Sequence, residues 1–432
     1  MVSKNLKKIF DRNFFSKLFD ELFTLNRSII GEGYVESLNI LNQYLDMKYY
    51  KFQSGKKIFD WKIPKEWVID DGYILTPKKK KICEFKQNNL HIMSYSKNVN
   101  KNFSLNELQK VLFSLRDLPE AIPYTTTYYK KDYGFNINHN QRKKLKSGNY
   151  KAVIKSRFKK SHLVIGEKIL KGSTNKDFLI SSYLCHPSMA NNELSGPLVL
   201  LGLFKKISNW PKRNLNYNFL INPETIGSLC YLYKNKKTIK KKLVGGLVLT
   251  CLGGPKNKIS FKKAKQESTG INKYFEYFAK KGLFKIREYS PITGSDERQY
   301  CSPGFNLPVG QASRTIYREY KEYHTSLDNK EFLDINKIIK SIDELNSFLF
   351  VFDKISGKIV RKNKFGEVFL SKYKLYNNKN SNHLTKAIIY ILSCTEKENE
   401  LIDVMIKKNL EISHILEAIK ILEEKKIIKI IK

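Results

Sequence analysis

Two histidines and two carboxylates lie close to the ends of segments that have the character of β-strands. They are His186, Glu224, Asp296 and His324. Singly, each is weak evidence of function, since a lone histidine is more often a structural hydrogen-bonding residue and a loop glutamate is usually solvated. If the strands are neighbours in a parallel sheet, however, their carboxyl ends meet at one edge, where ligands bind. Two imidazoles and a carboxylate at such an edge suit zinc.

The chemistry of such a site would be hydrolysis. Neutral imidazoles and a carboxylate would hold the metal and leave one position open for a water molecule, whose pKa the metal lowers. Glu224 could then take the proton of that water as a general base. Cys185 and Cys301 flank the site, so a cysteine–histidine nucleophile is an alternative. No third group that would orient the histidine is apparent, and small buried residues explain both cysteines.

The segment 178–204 reads as a strand, a polar loop and a helix. Residues 178–184 are largely apolar and β-favouring, and Ser195-Gly196-Pro197 carries the cap and first-turn signals of a helix start. Further strands and helices alternate along the chain. The predicted strands are 217–221, 245–251 and 307–311, and the predicted helices are 228–233, 271–282 and 335–352. This rhythm predicts an α/β fold with a mostly parallel sheet and helices on both faces.

Changes in apolar periodicity and composition along the chain indicate further domain boundaries. Residues 14–46 have the apolar periodicity of two helices, and short β-type runs broken by Pro, Asp and Gly begin near residue 52. After an Asn-rich linker, three helical segments (384–393, 398–407 and 413–424) and a final strand fit a winged helix-turn-helix. The predicted domains are a main α/β domain (1–51 and 137–360), an inserted β-rich domain (52–136) and a winged helix (380–432).

The chain has 79 Lys and Arg against 41 Asp and Glu, a formal charge of +38. Nucleic-acid binding is the obvious functional interpretation. The excess is mostly lysine spread along the whole chain, so a solvated lysine surface is favoured and nucleic acid is not expected as a partner. A DNA-binding regulator acting through the tail is kept as an alternative.

The sequence predicts a cytoplasmic protein without a membrane partner. No apolar run reaches the roughly 18 to 20 residues that span a bilayer. Residues 1–25 have the pattern of an amphipathic helix and not of a signal peptide. The six cysteines are scattered without CxxC pairs, which suits free thiols in a reducing compartment.

Longer motifs around these residues resemble the DUF4910 (DUF2172-containing) aminopeptidase-like family, relatives of the co-catalytic M28 zinc aminopeptidases. The motifs are 186–196, 223–228, 294–304 and 323–328, with further likeness at 59–67, 121–124 and 138–141. The resemblance covers nearly the whole chain. It implies an aminopeptidase-fold core, an inserted β-rich domain and a C-terminal winged helix. Members tend to occur with polysaccharide or surface-sugar biosynthesis functions, which implies that context here.

The resemblance also implies roles for single residues. His186 and His324 match the metal-binding histidines of the zinc aminopeptidases, and Glu224 matches their general base. The carboxylate that bridges two metals in those enzymes falls at Asn192, with Glu193 beside it. A neutral amide is a poor bridge between two ions, so we expect one zinc ion held by His186, His324 and Glu193 or Asn192.

Two other positions depart from the aminopeptidase pattern. Thr225 stands where a second metal carboxylate is expected, and Gly253-Gly254 stand where a further acidic ligand is expected. Asp296 could replace a ligand or orient a substrate amine. Three residues could contact a carboxylate or phosphate of the substrate, or be structural ion-pair or hydrogen-bond partners: Arg298, Arg314 and Tyr317.

We therefore expect a zinc-dependent, aminopeptidase-like hydrolase that acts on a small peptide or amide substrate. The bond would be an N-terminal aminoacyl bond or an amide on a modified sugar. The alternative is a catalytically impaired binding protein of the same fold in polysaccharide biosynthesis, which the departures at Asn192, Thr225 and Gly254 favour. Homo-oligomerisation is left open. The hydrolase prediction depends on His186 and His324 lying close enough to share one cation.

Overall fold

The computed structural model describes residues 10–363, 365–376, 382–394 and 400–432. The α-helices are α1 (Arg12–Phe23), α2 (Glu32–Leu45), α3 (Leu105–Gln109), α4 (His139–Lys143), α5 (Ser195–Ser208), α6 (Ile226–Asn235), α7 (Ile239–Lys242), α8 (Gly270–Lys280), α9 (Glu297–Tyr300), α10 (Ile335–Ile355), α11 (Asn382–Ser393), α12 (Leu401–Lys408) and α13 (Ile412–Glu424). None of these helices is long and apolar enough to cross a membrane.

The strands, numbered in chain order, are β1 (Lys48–Gln53), β2 (Lys57–Ile58), β3 (Trp61–Lys62), β4 (Glu66–Leu75), β5 (Lys81–Ile82), β6 (Val99–Ser104), β7 (Leu112–Phe113), β8 (Phe135–Asn136), β9 (Asn149–Lys159), β10 (His162–Leu170), β11 (Asp177–Tyr183), β12 (Asn216–Asn222), β13 (Leu243–Leu249), β14 (Ser260–Lys262), β15 (Lys285–Arg287), β16 (Val309–Ser313), β17 (Lys358–Arg361) and β18 (Ile428–Ile431).

The main sheet has eight strands in the order β1-β10-β12-β11-β13-β16-β14-β15. Its centre, β12-β11-β13-β16, is parallel. Strand β10 joins this centre antiparallel on one side and β14 on the other. The central strands are buried almost throughout, as expected where both faces of a parallel sheet are covered. The predicted fold class is confirmed, with an antiparallel contribution at both flanks.

Helices cover one face of the main sheet, and helix α6 with the inserted domain covers the other. Helices α1, α2, α5, α8 and α10 share a hydrophobic core with Phe178 and Ile180 of β11. Leu179, which points to the opposite face of the same strand, packs with α6 and the inserted domain. Helix α5 lies very close to the sheet, because a Cβ at Gly196 would lie 2.2 Å from Ser182 Oγ.

The inserted region forms its own four-stranded sheet, β5-β4-β9-β6. Its longest strand, β9, comes from residues 149–159, beyond the predicted end of the insertion at residue 136. Strand β9 pairs with both β4 and β6, so the small sheet needs it as its centre. The inserted domain touches the main domain through a β-bridge between Pro123 and Thr325.

The tail after α10 packs on the main domain. Strand β17 pairs antiparallel with β18, and α11, α12 and α13 lie between the two strands in sequence. The Tyr277 hydroxyl of α8 donates to the Leu410 carbonyl at 2.5 Å, and Lys273 forms an ion pair with Asp403 at 2.9 Å. The tail is therefore docked on α8.

The tail begins earlier than the sequence pattern indicates. Strand β17 starts at residue 358, whereas the third domain was predicted from residue 380, because a four-residue strand in a charged segment carries no periodicity. The winged helix stays a prediction. Two parts of predicted helices lie outside the described residues: 1–9 of the N-terminal helix and 398–399 of the second tail helix.

Candidate active site

His186 follows β11, and a buried carboxylate fixes the orientation of its ring. Glu193 lies in a single π-helical turn (Ala190–Leu194) just before α5. One of its oxygens accepts the backbone N–H groups of Cys185 and His186, the latter at 2.8 Å. The other accepts from His186 Nδ1 at 2.7 Å. Burial disfavours the charged imidazole, but the Glu193 carboxylate offsets it, and the pKa of His186 stands well above its ordinary value. Its Nε2 is left to face the site.

A buried arginine lies behind this pair. Arg27, in the turn between α1 and α2, is fully buried. Its Nε donates to the His186 carbonyl at 3.0 Å, and Nη1 donates to the Leu22 carbonyl. Burial lowers the pKa of Arg27 to about 10, and the charge of Glu193 opposes that shift. Arg27 therefore balances the buried carboxylate and holds the His186 backbone. Sequence reasoning missed it, because nothing local distinguishes this arginine from a surface one.

Glu224 follows β12 in a strained turn. Thr225 has φ 64° and ψ −71°, and Ile226 N donates to Glu224 O at 2.7 Å, which together define a γ-turn with positive φ. Glu224 Oε1 accepts from the Ser295 hydroxyl at 2.6 Å. Its Oε2 lies 3.7 Å from His186 Nε2. Burial raises the pKa of Glu224, and the charge of His186 opposes the shift.

Asp296 fixes the conformation of this turn through hydrogen bonds. It is fully buried and accepts from Thr225 N at 2.6 Å, Asn222 Nδ2 at 2.8 Å and Ser228 Oγ at 3.2 Å. Burial, and next the charge of Glu224, raise the pKa of Asp296 to about 7. Both carboxylate oxygens are thus engaged with the Glu224 loop, which favours a positioning role for Asp296 over the predicted contact with a metal or a substrate amine.

The loop that carries Ser295 and Asp296 is anchored by a buried ion pair. Glu297 contacts Lys262 at 2.8 Å, and its other oxygen accepts from Ser295 N at 3.0 Å. Gly294 has φ 147°, and a Cβ there would lie 2.0 Å from Glu297 Oε1, so only glycine fits. Ser295 therefore contacts Glu224, Asp296 contacts the turn at Thr225, and Glu297 contacts Lys262 of β14 in the main sheet.

His324 completes the site from a loop with positive φ, 56°. Its ring centroid lies 5.2 Å from that of His186. Tyr124 of the inserted domain packs against both imidazoles, at 5.2 Å from His186 and 5.3 Å from His324, and Tyr323 stacks on His324. Burial, and next the charge of His186, lower the pKa of His324 well below its ordinary value. The neutral form is the one that binds metals.

Another buried carboxylate, that of Asp328, ties the His324 loop to the His186 loop. Asp328 accepts from Asn191 N at 2.6 Å and from Asn192 N at 2.9 Å. Burial raises its pKa to about 6. The motif 323–328 was singled out in the sequence, but the role of Asp328 follows only from this contact.

Three buried atoms at this site lack the partners that buried polar atoms usually have. Among the described residues, His324 Nε2, Asn192 Nδ2 and Nη2 of Arg27 have no hydrogen-bond partner. Asn192 Oδ1 accepts from the Tyr183 hydroxyl at 3.2 Å. A half-turn of the amide exchanges its two ends, and Tyr183 can accept where it had donated. The Asn192 carbonyl oxygen and His324 Nε2 would then both be free to bind a cation.

The spacing of the imidazoles fits a single zinc ion. Two histidines bound to one tetrahedral zinc at about 2.1 Å have ring centroids about 5.3 Å apart, and the observed separation is 5.2 Å. Cys185, His186 and Glu193 also offer ligand atoms within 4.8 Å of one another. Glu193, however, already accepts three N–H groups, so His186 Nε2, His324 Nε2 and Asn192 are the better set.

The other predicted residues have different surroundings. Arg314 is fully buried, donates to Ser341 Oγ at 3.0 Å and pairs with Glu344, which favours the structural alternative. The Tyr317 ring lies 5.8 Å from that of Tyr323 and so stays near the site. Arg298 donates to the Pro291 carbonyl at 3.3 Å, and its buried Nε has no partner in the part of the chain that the structure describes.

The cysteines have the properties of packing residues. Cys185 Sγ lies 3.6 Å from His186 Nδ1, the nitrogen that Glu193 already engages. Burial raises the pKa of Cys185 to about 11, so its thiol is protonated. Cys301 Sγ lies 3.3 Å from the Val309 carbonyl. All six cysteines are free and buried.

This architecture is that of the aminopeptidase fold. A zinc aminopeptidase from Bacillus subtilis matches with a TM-score of 0.57 and 14% identity, covering 79% of this chain and 95% of that one. An M28 peptidase precursor from Shewanella amazonensis matches with a TM-score of 0.55 and 13% identity, covering 82% and 95%. At these identities the likeness shows the fold alone.

Closer relatives define the family. The profile of DUF4910, described as a domain of unknown function, matches residues 16–354. A Clostridium acetobutylicum protein whose name includes "polysaccharide biosynthesis protein with aminopeptidase-like domain" is 33% identical over 422 residues, 96% of this chain and 95% of its own length. A crystal structure of a protein from the same organism has a TM-score of 0.87 and 31% identity, covering 100% and 99%. The chain belongs to the DUF4910 family.

Proposed function

We propose that this protein is a zinc-dependent hydrolase that cleaves an amide bond, with Glu224 as its general base. His186, His324 and Asn192 would hold one zinc ion. The observation that carries the proposal is the approach of His186 Nε2 to Glu224 Oε2, 3.7 Å apart, with the His324 ring centroid 5.2 Å from that of His186. When bound, zinc supplies a water of lowered pKa and polarises the substrate carbonyl.

The residues of the chain supply proton transfer and positioning. Glu224 is raised in pKa by burial, which brings a carboxylate closer to the operating pH of a general base. Ser295 holds one of its oxygens, so Oε2 alone is directed toward the histidines. Glu193 orients His186 and is not a ligand in this proposal.

The substrate would carry an N-terminal aminoacyl bond or an amide on a modified sugar. The polysaccharide context in the name of the Clostridium acetobutylicum relative favours the sugar amide. A small peptide stays as the alternative substrate, since the fold is shared with aminopeptidases.

Metal analysis and an amide screen test the proposal. We expect one zinc ion per chain and hydrolysis of an aminoacyl anilide or an N-acyl amino sugar that stops on chelation. His186→Asn and His324→Asn should each lower the zinc content, whereas His162→Asn, at an exposed histidine, should not. A protein that binds no zinc and keeps amide hydrolysis after chelation would end the proposal.

The second candidate is a binding protein that retains the fold without turnover. The absence of carboxylates at Asn192, Thr225 and Gly254 favours it, because co-catalytic zinc enzymes need such ligands. It predicts ligand retention without turnover. Any hydrolysis that depends on Glu224 would exclude it.

A further inference from the structure

The inserted domain carries a cleft that is separate from the histidine site. It lies between the hairpin β2–β3, the segment 127–131 and the end of β9, with a volume of about 770 Å³. That volume lies within the roughly 300–1,000 Å³ of small-molecule sites. The cleft can therefore hold a ligand of a few rings, and it is short for a polymer strand.

Aromatic rings are part of the lining of the cleft. Tyr129 is 56% exposed and Phe158 41% exposed. Trp61, 39% exposed, supports Tyr129 at 6.0 Å, and Tyr95 packs behind Phe158 at 6.0 Å. Exposed aromatic faces gathered in one concave surface are typical of ligand binding and unusual as plain surface.

Lysine ammonium groups give the cleft a positive charge beside its aromatic rings. Five of the fourteen lining residues are lysines, and none is Asp or Glu. They are Lys62, Lys65, Lys130, Lys131 and Lys160. None of the five makes an ion pair with a carboxylate in the described part of the chain. Over the whole chain, basic residues outnumber acidic ones 79 to 41, so a lining with five lysines and no Asp or Glu is more basic than the chain average.

One pair of tyrosines separates the cleft from the histidines. Tyr128 lines the cleft, and its hydroxyl is hydrogen-bonded to that of Tyr124 at 2.8 Å. The Tyr124 ring packs against His186 at 5.2 Å. A ligand in the cleft would thus lie beside the proposed reaction centre.

We propose that this cleft binds an anionic carbohydrate. A sugar ring presents an apolar face that can stack on Tyr129 and Phe158, while its carboxylate or phosphate groups meet the lysines. The protonated terminal amine of a peptide would be repelled by five ammonium groups, so the cleft does not suit that end of an aminopeptidase substrate. Binding of the carbohydrate in the cleft does not depend on the proposed function. Only the further step, that this carbohydrate is part of the hydrolase substrate, rests on it.

The source of the anionic sugar is either an acidic oligosaccharide or a sugar nucleotide. Calorimetry on metal-free Glu224→Gln protein, which cannot turn over, measures binding alone. The probes are trigalacturonate, its methyl ester, UDP-glucuronate, UDP and an oligothymidylate. We expect trigalacturonate or UDP-glucuronate to bind at least about tenfold more tightly than the ester or UDP respectively, since stacking and charge then act together.

Variants locate the site. Lys130→Gln with Lys131→Gln should weaken binding roughly fivefold, as two exposed charges are lost. Tyr129→Ala should weaken it about tenfold through lost stacking. Lys78→Gln with Lys80→Gln removes the same charge from an exposed turn of the same domain and should change the affinity less than about twofold. Thermal melts check that each variant is folded.

Several results would overturn the proposal. The first is equal binding of the ester and the acid together with equal binding of UDP and UDP-glucuronate. The others are tighter binding of oligothymidylate than of either acidic sugar, and equal losses in the lysine control and the cleft variant. Binding of an acidic sugar without amide hydrolysis would leave the cleft assignment and remove the hydrolase. Hydrolysis of neutral amides without any sugar binding would support the hydrolase and overturn the cleft assignment.

Discussion

Glu193 and Glu224 approach the same imidazole from opposite sides, yet their surroundings differ. The Glu193 side chain is completely buried and accepts three N–H groups. The Glu224 side chain is 28% exposed, accepts one hydroxyl and leaves Oε2 at 3.7 Å from His186 Nε2. The backbone N–H donors and the charge of Arg27 stabilise the Glu193 carboxylate, which therefore has a structural role. Glu224 accepts one hydroxyl, on Oε1, so its Oε2 is left to accept a proton.

The histidines divide in a similar way. His186 is oriented by Glu193 and by the hold of Arg27 on its carbonyl, whereas His324 Nε2 has no partner within the described chain. One ring nitrogen of His186 is thus engaged and its Nε2 is left to face the site, whereas the buried Nε2 of His324 lacks, among the described residues, the partner that buried polar atoms usually have.

The largest expected effect comes from removing the free carboxylate. Glu224→Gln should lower kcat by about 10² to 10⁴, the range for a general base, while zinc content and the unfolding midpoint stay unchanged. Steady-state kinetics with metal analysis measure this. Glu331→Gln, at an exposed glutamate, is the control. Loss of zinc in Glu224→Gln would instead place this residue among the ligands.

Glu193→Gln should have a different signature. An amide can keep its oxygen on the backbone N–H groups, but its NH2 group then faces His186 Nδ1, which Oε2 engages in the native protein. The change also leaves Arg27 without its counter-charge. We expect zinc affinity to fall about 10- to 100-fold, as for other residues that orient a metal-binding histidine, and the protein to lose about 1–3 kcal/mol of stability. Competition with a chelating dye and denaturant unfolding measure the two quantities. A variant with normal affinity and stability would contradict the assigned role.

Asp296 makes the stability depend on pH. Its folded pKa of about 7 exceeds the unfolded value of about 3.9. The stabilisation is therefore complete below the unfolded value and lost as the pH rises through about 7, since the folded state holds the proton longer. Between pH 5 and 7.5 the lost stabilisation amounts to about 2.5 kcal/mol. Metal-free protein should show that decline in urea unfolding, and Asp296→Asn should flatten it. Equal slopes in both proteins would refute the prediction.

The smallest effect is expected at Ser295. Removing its hydrogen bond to Glu224 by Ser295→Ala should lower kcat/KM roughly fivefold, in line with about 1 kcal/mol for one hydrogen bond. The bond lowers the pKa of Glu224, so the acid limb of the pH–rate profile should move to higher pH. Ser302→Ala, whose hydroxyl bonds Gln299 O in the neighbouring turn, is the control. An unmoved limb would mean that Ser295 only fills space.

Much of the fold could be predicted from local pattern. The apolar run of β11 and the cap signals at Ser195 predicted the strand, loop and helix within a few residues of their bounds. The alternation further along the chain predicted the parallel centre of the main sheet. Strand β9 could not be assigned to the inserted sheet, because the choice between two sheets depends on distant partners in β4 and β6.

The residue types of the site were also evident in the sequence, since histidines and carboxylates at strand ends are local features. Their roles were not. The sequence left Glu193 and Asn192 as alternative ligands, and backbone N–H groups eight and seven residues earlier in the chain engage Glu193. Asp296 was expected to face a metal or substrate, but a γ-turn 71 residues away engages it. Arg27 and Tyr124 reach the histidines only through folding. The amino-acid sequence determined which groups can ionise or bind a metal. The tertiary structure decided which of them are left without partners, because hydrogen bonding and burial are set by neighbours that lie far away along the chain.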